Sequence, residues 1–212
     1  MKTVLYLGLD APQDQEGKHF IHFPIIEIVP RNPEHAAIVA AFADLPDYTH
    51  LIFTSKSAVR LFFNYLPLFG YLPEDLAAKK IIAIGQATAE NILSHGGNVW
   101  KIAETETAEG VIDVLKQGLE KTAYLFWPHS AQSRSVIDNY LKLNNLKHKT
   151  CIFYDTKTKA CAPFPLTKID EIVFTSPSTI DGYIEVYGAL PTQIPLTTIG
   201  PITQAHLDSL LT

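Results

Sequence analysis

Four short stretches combine hydroxyl side chains or glycine with the start of a helical pattern, a combination that can bind anionic groups. They are Thr54-Ser55-Lys56-Ser57, Gly85-Gln86-Ala87-Thr88, Ser176-Pro177-Ser178 and Gly200-Pro201-Ile202-Thr203. Each follows a short apolar run typical of a buried strand. Hydroxyls and free amides at a helix N-terminus can bind carboxylates or phosphates. The same residues also serve as ordinary helix caps, and for any one stretch that alternative stays open.

Tyr154 is the titratable side chain whose position suggests proton transfer. It lies near the end of the apolar run that begins at Cys151, just before a segment rich in Pro, Thr and Lys. A phenol stays protonated at neutral pH and can donate a proton. The alternative is a half-buried strand tyrosine hydrogen-bonded to backbone. Nearby, Trp127 and His129 are interpreted as a core tryptophan and a surface histidine.

Several other chemistries lack their sequence signatures. The chain has no Gly-x-Gly-x-x-Gly or Gly-x-x-x-x-Gly-Lys-Ser/Thr motif for nucleotides, and no Gly-x-Ser-x-Gly turn for a nucleophilic serine. Its histidines are scattered and pair with no carboxylate or cysteine pattern, so we expect no metal site. The two cysteines, Cys151 and Cys161, are interpreted as free buried thiols.

The composition limits the partners of this chain. Of its 212 residues, 47% are hydrophobic and 18% charged, which is typical of a globular protein. The net charge of −5 argues against a nucleic-acid partner. No apolar run reaches membrane-spanning length, and Val4–Leu9 is too short for a secretion signal. We therefore expect a cytoplasmic protein without a membrane partner.

The chain contains an internal duplication. The unit Leu51–Val59 recurs 121 residues later as Ile172–Ile180, and in both copies a strand leads through hydroxyl residues into a helix. A second pair, Ile84–Thr88 and Ile199–Thr203, follows in the same order. Two matched pairs indicate duplicated halves. Because strands alternate with helices in both halves, the sequence predicts an α/β fold with two similar parallel-sheet lobes.

The order of the strands predicts how the two lobes share the chain. We expect the second copy to pair with the N-terminal strands, so that one lobe is inserted in the other. The predicted lobes are a smaller, discontinuous lobe of residues 1–29 plus 156–212 and an inserted lobe of residues 30–155, joined by a two-stranded linker. The ten residues Gly8–Gly17 are short for a crossover helix, so a bare or stunted connection is expected.

Other local predictions concern loops, an extended segment and the start of a helix. The pattern predicts a loop at Pro128–Ser130, a helix at Ser133–Leu143 and a further loop at Thr156–Lys168. It treats His19–Val29 as one extended segment. The hydroxyl of Thr107 is expected to cap a helix that begins at Ala108.

Taken together, these motifs resemble the uroporphyrinogen-III synthase family from about Phe23 to the end of the chain. The matching segments keep the family's order and spacing, and are Phe53-Thr54-Ser55-x-Ser57-Ala58-Val59, Ala83-Ile84-Gly85-x-x-Thr88-Ala89, Thr107-x-x-Gly110, Tyr154-x-Thr156, Phe174-Thr175-Ser176-Pro177-Ser178 and Ile199-Gly200-Pro201-x-Thr203. The resemblance implies two α/β lobes joined by a two-stranded ladder, with the active site in the cleft between them.

The resemblance also implies a reaction. A linear tetrapyrrole, hydroxymethylbilane, loses water and cyclises through a spirocyclic intermediate to uroporphyrinogen III, with its terminal ring inverted. No cofactor is used, and we expect a monomer. The tyrosine that helps the hydroxyl to leave corresponds to Tyr154. The glycine-flanked threonines of the cleft correspond to Thr88 and Thr203, and the remaining substrate-binding positions are expected to be Thr54, Ser55, Ser57, Gly85, Ser176, Ser178 and Gly200.

Departures from the family pattern leave two other functions open. A Thr-Arg-Pro-like turn after the first strand is replaced by Gly8-Leu9-Asp10, the helix after it is missing, and the final strand and helix of the same lobe are absent. One alternative is a non-catalytic bilobal protein that binds a ligand. The other is a flavodoxin-like FMN protein, although its phosphate loop should follow the first strand.

Overall fold

The computed structural model describes residues 1–120 and 122–211. Its strands are β1 (Lys2–Tyr6), β2 (Lys18–His22), β3 (Ile26–Pro30), β4 (His50–Phe53), β5 (Lys80–Ala83), β6 (Lys101–Ile102), β7 (Tyr124–Ser130), β8 (Lys147–Thr158), β9 (Glu171–Phe174) and β10 (Leu196–Thr198). Its α-helices are α1 (Ala36–Ala43), α2 (Lys56–Tyr65), α3 (Gln86–Ser94), α4 (Ala108–Lys116), α5 (Val136–Leu143), α6 (Pro177–Tyr187) and α7 (Pro201–Leu211). The chain divides into two compact units, one of residues 1–29 with 156–212 and one of residues 30–155.

The unit of residues 30–155 contains a sheet with the order β8-β7-β4-β5-β6. All neighbouring strands in this order pair in parallel. The two faces of the sheet are buried by different helices, as the alternation of side chains along a strand requires. Aromatic residues of α1 and α2 cover one face, where Phe62 contacts Phe53 and Phe126. On the other face, the core residues are Ile52, Ile82, Val111, Leu115, Leu125, Trp127, Ile137 and Leu141.

The unit of residues 1–29 and 156–212 contains a four-stranded sheet with the order β10-β9-β1-β2. Its pairs are also parallel. The core brings Leu5 and Phe174 of the sheet against Tyr183 of α6 and Leu207 of α7. Residues 7–17, all described, connect the parallel strands β1 and β2 without a helix, so the connection is a bare loop. The predicted α/β class with parallel sheets is confirmed.

Strands β3 and β8 are neighbours and carry the chain from one unit to the other. In the unit of residues 30–155, the Arg31 N–H donates to the Phe153 carbonyl at 2.8 Å. In the other unit, the Lys159 N–H donates to the Ile25 carbonyl at 2.8 Å. Between these two bonds the residue numbers rise along one segment and fall along the other, so the pair is antiparallel.

Two extended segments differ from their predictions. The segment His19–Val29 is not continuous, because β2 ends at His22 and β3 begins at Ile26 in a different sheet. Pro24, between them, has no N–H for a ladder. The loop predicted at Thr156–Lys168 begins later, since β8 extends to Thr158. The cause is pairing with the β3 segment, which no local pattern shows.

The prediction of a loop at Pro128–Ser130 is wrong, because these residues end β7. A proline inside a strand normally removes a ladder hydrogen bond. Here the pairing of β7 with β4 runs only to Phe126, so Pro128 lies beyond that ladder. Helix α5 begins at Val136 rather than Ser133, since the Ser133 N–H closes a turn onto the Ser130 carbonyl at 3.1 Å.

Helix α4 begins as predicted, and its cap gives a stability test. Thr107 Oγ1 accepts a hydrogen bond from the Gly110 N–H at 3.2 Å, and the hydroxyl is buried. Thr107→Ala should lower the free energy of unfolding by about 0.5–2 kcal/mol, because one N–H of the first turn loses its partner. Thr107→Ser keeps the hydroxyl and is the control. Equal stability of the Ala and Ser variants in urea titrations would contradict this role.

Candidate active site

Tyr154 and Ser55 form the centre of the candidate site in the unit of residues 30–155. Tyr154 comes from β8, and Ser55 is the N-cap of α2 directly after β4. The phenol oxygen lies 2.8 Å from Ser55 Oγ, which also accepts a hydrogen bond from the Ala58 N–H at 3.0 Å. Strand β7 separates β4 from β8, and the two residues meet because β4 and β7 both end near the level of Tyr154, while β8 continues beyond it.

The surroundings of Tyr154 keep its phenol protonated at neutral pH. The side chain is only 5% exposed, and this burial raises the pKa of the phenol. The hydrogen bond to Ser55, the Ser130 hydroxyl and the positive charge of Arg60 lower this pKa, because they stabilise the phenolate. The phenol can therefore donate a proton, and neighbouring groups stabilise the phenolate that remains. Ser130 and Arg60 were missed by the sequence analysis.

Thr54 lies beside this centre, but its hydroxyl is already engaged. The indole Nε1–H of Trp127 donates to Thr54 Oγ1 at 3.1 Å, and the Trp127 side chain is buried, as predicted. His129 stacks on Trp127 with ring centroids 4.3 Å apart. His129 is half-buried rather than fully at the surface, and this burial lowers the pKa of its imidazole. Ser57, the second residue of α2, is buried in the first turn of the helix.

The loop at Gly85 already holds a carboxylate of the chain itself. Glu106 Oε1 accepts a hydrogen bond from the Gln86 N–H at 3.0 Å, at the start of α3. A Cβ atom on Gly85 would clash with the same carboxylate, so glycine is needed for this approach. Thr88, the third residue of α3, is buried. The signal for Glu106 was available in the sequence, since this acid directly precedes the cap Thr107.

In the other unit, the hydroxyls at Ser176 and Ser178 contact each other, with 2.9 Å between their oxygens. Thr179 satisfies the nearby backbone: its Oγ1 accepts from the N–H groups of Thr175 at 3.1 Å and Ser176 at 3.2 Å. The sequence analysis treated the amides of this loop as free, and these two are not. The N–H groups of Thr175 and Ser176 are therefore not available to a ligand.

The loop at Gly200 is open, unlike the loop at Gly85. Gly200 has a φ of 85°, a left-handed conformation that favours glycine, and a Cβ atom placed there would meet nothing within 4 Å. Thr203 is buried as the third residue of α7, the position that Thr88 has in α3. The duplicated residues thus occupy equivalent helix positions in the two units.

The remaining candidates for chemistry lie away from this arrangement. Burial raises the pKa of the Cys151 thiol to about 11, so the thiol is protonated and unreactive at neutral pH. Cys161 is a half-buried free thiol. Within residues 1–120 and 122–211, no group of three or more His, Cys, Asp or Glu side chains is placed to hold a metal ion. None of the described helices has the length and apolarity that crossing a bilayer requires.

Two compact parallel α/β units, each with hydroxyl residues at the carboxyl ends of its strands, define a class of α/β protein that binds its ligand beyond the strand ends. Residues 11–211 match the family described as uroporphyrinogen-III synthase HemD. The chain therefore belongs to the uroporphyrinogen-III synthase family. This assignment confirms the resemblance and sets the flavodoxin-like alternative aside.

Individual relatives agree with this family. The porphyrin biosynthesis protein HemD of Ruminiclostridium josui is 26% identical over 186 residues, which cover 84% of this chain and 36% of that protein. The chain therefore spans about a third of the length of this relative. Crystal structures of uroporphyrinogen III synthases from Thermus thermophilus (a mutant; 16% identity, TM-score 0.67) and Helicobacter pylori (17%, 0.65) each align with 100% of this chain and 90% of the other chain. At these identities the structures show a shared fold.

The lowered pKa of His129 predicts a pH dependence of stability. The imidazole is neutral in the folded protein, while the unfolded chain protonates it near its ordinary pKa of 6.5. The contribution of neutral His129 to the free energy of unfolding should therefore be fully present above about pH 6.5. It should be lost as the pH falls through the lower pKa of the folded protein. His129→Asn keeps a side-chain N–H for the Ser130 carbonyl but cannot titrate. Urea titrations should show a smaller stability loss for this variant between about pH 6.5 and 5, and parallel curves would disprove the assignment.

Proposed function

We propose that this protein is a uroporphyrinogen-III synthase, a cyclising hydro-lyase that converts hydroxymethylbilane into uroporphyrinogen III and water. Family membership supports the reaction class. The observation that carries the proposal is the buried Tyr154 phenol on β8, held 2.8 Å from Ser55 at the N-terminus of α2. A protonated, hydrogen-bonded phenol is suited to donating a proton to a leaving hydroxyl.

In the proposed reaction, the Tyr154 O–H gives its proton to the terminal hydroxyl of the bilane, the carbon–oxygen bond breaks and water leaves. A carbon–carbon bond then forms at the substituted position of the last ring, giving a spirocyclic intermediate that rearranges with that ring inverted. Closure of the macrocycle releases one proton from a ring carbon, which restores the phenol. The protons therefore balance without a redox step, and we propose that no cofactor takes part.

The substrate offers acetate and propionate carboxylates, and the hydroxyl and glycine loops offer groups that bind them. We propose carboxylate-binding roles for Ser55, Ser57, Thr88, Ser176, Ser178 and Thr203, and close backbone approach at Gly85 and Gly200. Thr54 accepts the Trp127 N–H and would bind a carboxylate through its own O–H, because a carboxylate can only accept. Holding the bilane in one curled conformation can contribute several kcal/mol to catalysis, so positioning is as important as proton transfer. We further propose a monomer that acts in the cytoplasm.

The function is tested with freshly prepared hydroxymethylbilane, which can close without inversion to uroporphyrinogen I. Added protein should shift the product to uroporphyrinogen III, as measured by chromatography of the two isomers. An unchanged isomer ratio would disprove the enzyme function. If the protein then still bound uroporphyrinogen III, it would be the non-catalytic ligand-binding relative.

Tyr154→Phe tests the proton donor. The variant keeps the ring but has no proton to give, so turnover should fall by roughly 10- to 10⁴-fold, the range of general acid catalysis. Tyr65→Phe is a matched control, because it also removes the phenol oxygen of a buried tyrosine, one that donates to the Arg31 carbonyl at 2.6 Å. Wild-type turnover in Tyr154→Phe would leave the tyrosine a structural role only.

Glu106 tests whether the start of α3 binds a substrate carboxylate. Because Glu106 occupies the Gln86 N–H, its own charge competes with that of the substrate. Glu106→Ala should lower KM about two- to fivefold, as expected when a helix N-terminus becomes available to an anion. Glu104→Ala removes the same charge from the same exposed segment and is the control. A higher KM in Glu106→Ala alone would mean that Glu106 shapes the loop instead of competing.

A further inference from the structure

His129 is the penultimate residue of β7, and its imidazole is held from two sides. Its Nδ1 lies 2.8 Å from the Ser130 carbonyl oxygen, and the ring stacks on Trp127 with 4.3 Å between the ring centroids. Trp127 is itself held, because its indole N–H donates to Thr54 Oγ1 at 3.1 Å. The packed end of the sheet therefore fixes the orientation of the His129 ring.

The hydrogen bond to Ser130 decides which ring nitrogen of His129 carries the proton. A carbonyl oxygen can only accept, so Nδ1 is the N–H donor. Burial lowers the pKa of the imidazole, so the ring is neutral at neutral pH and this is its single proton. Nε2 then carries a lone pair, and in the part of the chain that the structure describes no group forms a hydrogen bond with it. Nε2 is an acceptor that a ligand can use.

His129 lines a cavity of about 460 Å³. Because Nδ1 and one face of the ring are engaged, the ring presents its Nε2 edge and its other face. Ile152, which is 41% exposed, adds apolar surface to the same cavity. Arg31 adds a guanidinium, which has further N–H groups besides the one that donates to Asp155 at 2.7 Å. The volume is within the range of small-molecule sites, roughly 300–1,000 Å³.

The cavity adjoins the candidate active site along the sheet. In the β7–β8 register, His129 pairs with Ile152, and the next pair is Ser130 with Tyr154. A ring bound over Ile152 would lie one residue pair from the proposed proton donor. The Trp127 indole that supports His129 also bonds Thr54, in the loop that leads to Ser55.

The three exposed groups of this cavity correspond to the parts of one substituted pyrrole. The ring N–H of a pyrrole can donate but not accept, its faces are apolar, and the rings of the proposed substrate carry acetate and propionate groups. We propose that the cavity binds one pyrrole ring of the linear tetrapyrrole, with the ring N–H donating to His129 Nε2, the ring face on Ile152 and a carboxylate on Arg31. The proposal rests on the proposed function, which supplies the tetrapyrrole.

Two substitutions separate the roles of the two nitrogens of His129. His129→Asn keeps an N–H for the Ser130 carbonyl and loses the acceptor, whereas His129→Gln can place a carbonyl oxygen near the position of Nε2. His129→Asn should raise KM about two- to tenfold with little change in kcat, the loss expected for one neutral hydrogen bond. His129→Gln should stay close to the wild-type KM. A larger rise in His129→Gln than in His129→Asn would assign the effect to the Ser130 bond and overturn the proposal.

His148→Asn is the matched control. His148 is also half-buried, and its Nδ1 also lies close to a backbone carbonyl, that of Leu146 at 2.6 Å, but His148 is not among the residues that line the cavity. This variant should keep the wild-type KM. A rise equal to that of His129→Asn would show a general effect of losing an imidazole, and the proposal would fail.

The pyrrole site can also be measured without turnover. The probes are a single pyrrole that bears one acetate and one propionate group and its furan analogue, in which oxygen replaces the ring N–H. Wild-type protein should bind the pyrrole about tenfold more tightly in NMR titrations, because the furan leaves Nε2 without a donor. His129→Asn should bind both probes equally, and Arg31→Gln should weaken both while keeping the preference.

These titrations separate the pyrrole site from the proposed reaction. Wild-type protein that binds neither probe, or both equally, would overturn the pyrrole site even if it makes uroporphyrinogen III. Protein that makes no uroporphyrinogen III but prefers the pyrrole, with the preference lost in His129→Asn, would refute the proposed function and leave the site established.

Discussion

The parallel pairing of β4, β7 and β8 is the constraint on which the candidate site depends. Ser55 and Tyr154 are 99 residues apart along the chain. They meet because Ser55 follows β4, and Tyr154 is the β8 residue that pairs with Ser130, the last residue of β7. Buried side chains on both faces of the sheet hold the strands in register, with the aromatic cluster around Phe62 on one face and Trp127 on the other. Packing of this kind leaves little freedom for the strand ends to separate.

Burial and hydrogen bonding act together at this edge. Taking the Tyr154 phenol out of water disfavours its charged form, which keeps the proton available near neutral pH. The same low dielectric strengthens the bond that the Ser55 hydroxyl can make to the phenolate, because there is little water to compete. A group can thus be protonated at rest and still tolerate the loss of its proton. Partial burial favours the neutral form of the nearby His129 in the same way.

The duplicated loops show how two copies of one local structure acquire different chemistry. Thr88 and Thr203 are both the third residue of a helix and both buried. In one copy, the chain places Glu106 over the start of the helix, whereas the space above Gly200 in the other is open. The backbone geometry comes from the repeated sequence, and the difference comes from a segment outside the repeat. Equivalent positions therefore need not bind equivalent groups.

The sequence by itself determined the parallel α/β class, the N-cap at Thr107 and the protein family, because strand, hydroxyl and helix follow one another within a few residues. It also identified Tyr154, but not what the phenol contacts. Only the tertiary structure decided that Pro128–Ser130 continues β7, that Glu106 occupies the Gly85 loop and that Ser130 and Arg60 act on Tyr154. The physical reason is that these features depend on which strands become neighbours, and strand pairing is set by long-range packing that leaves no local pattern.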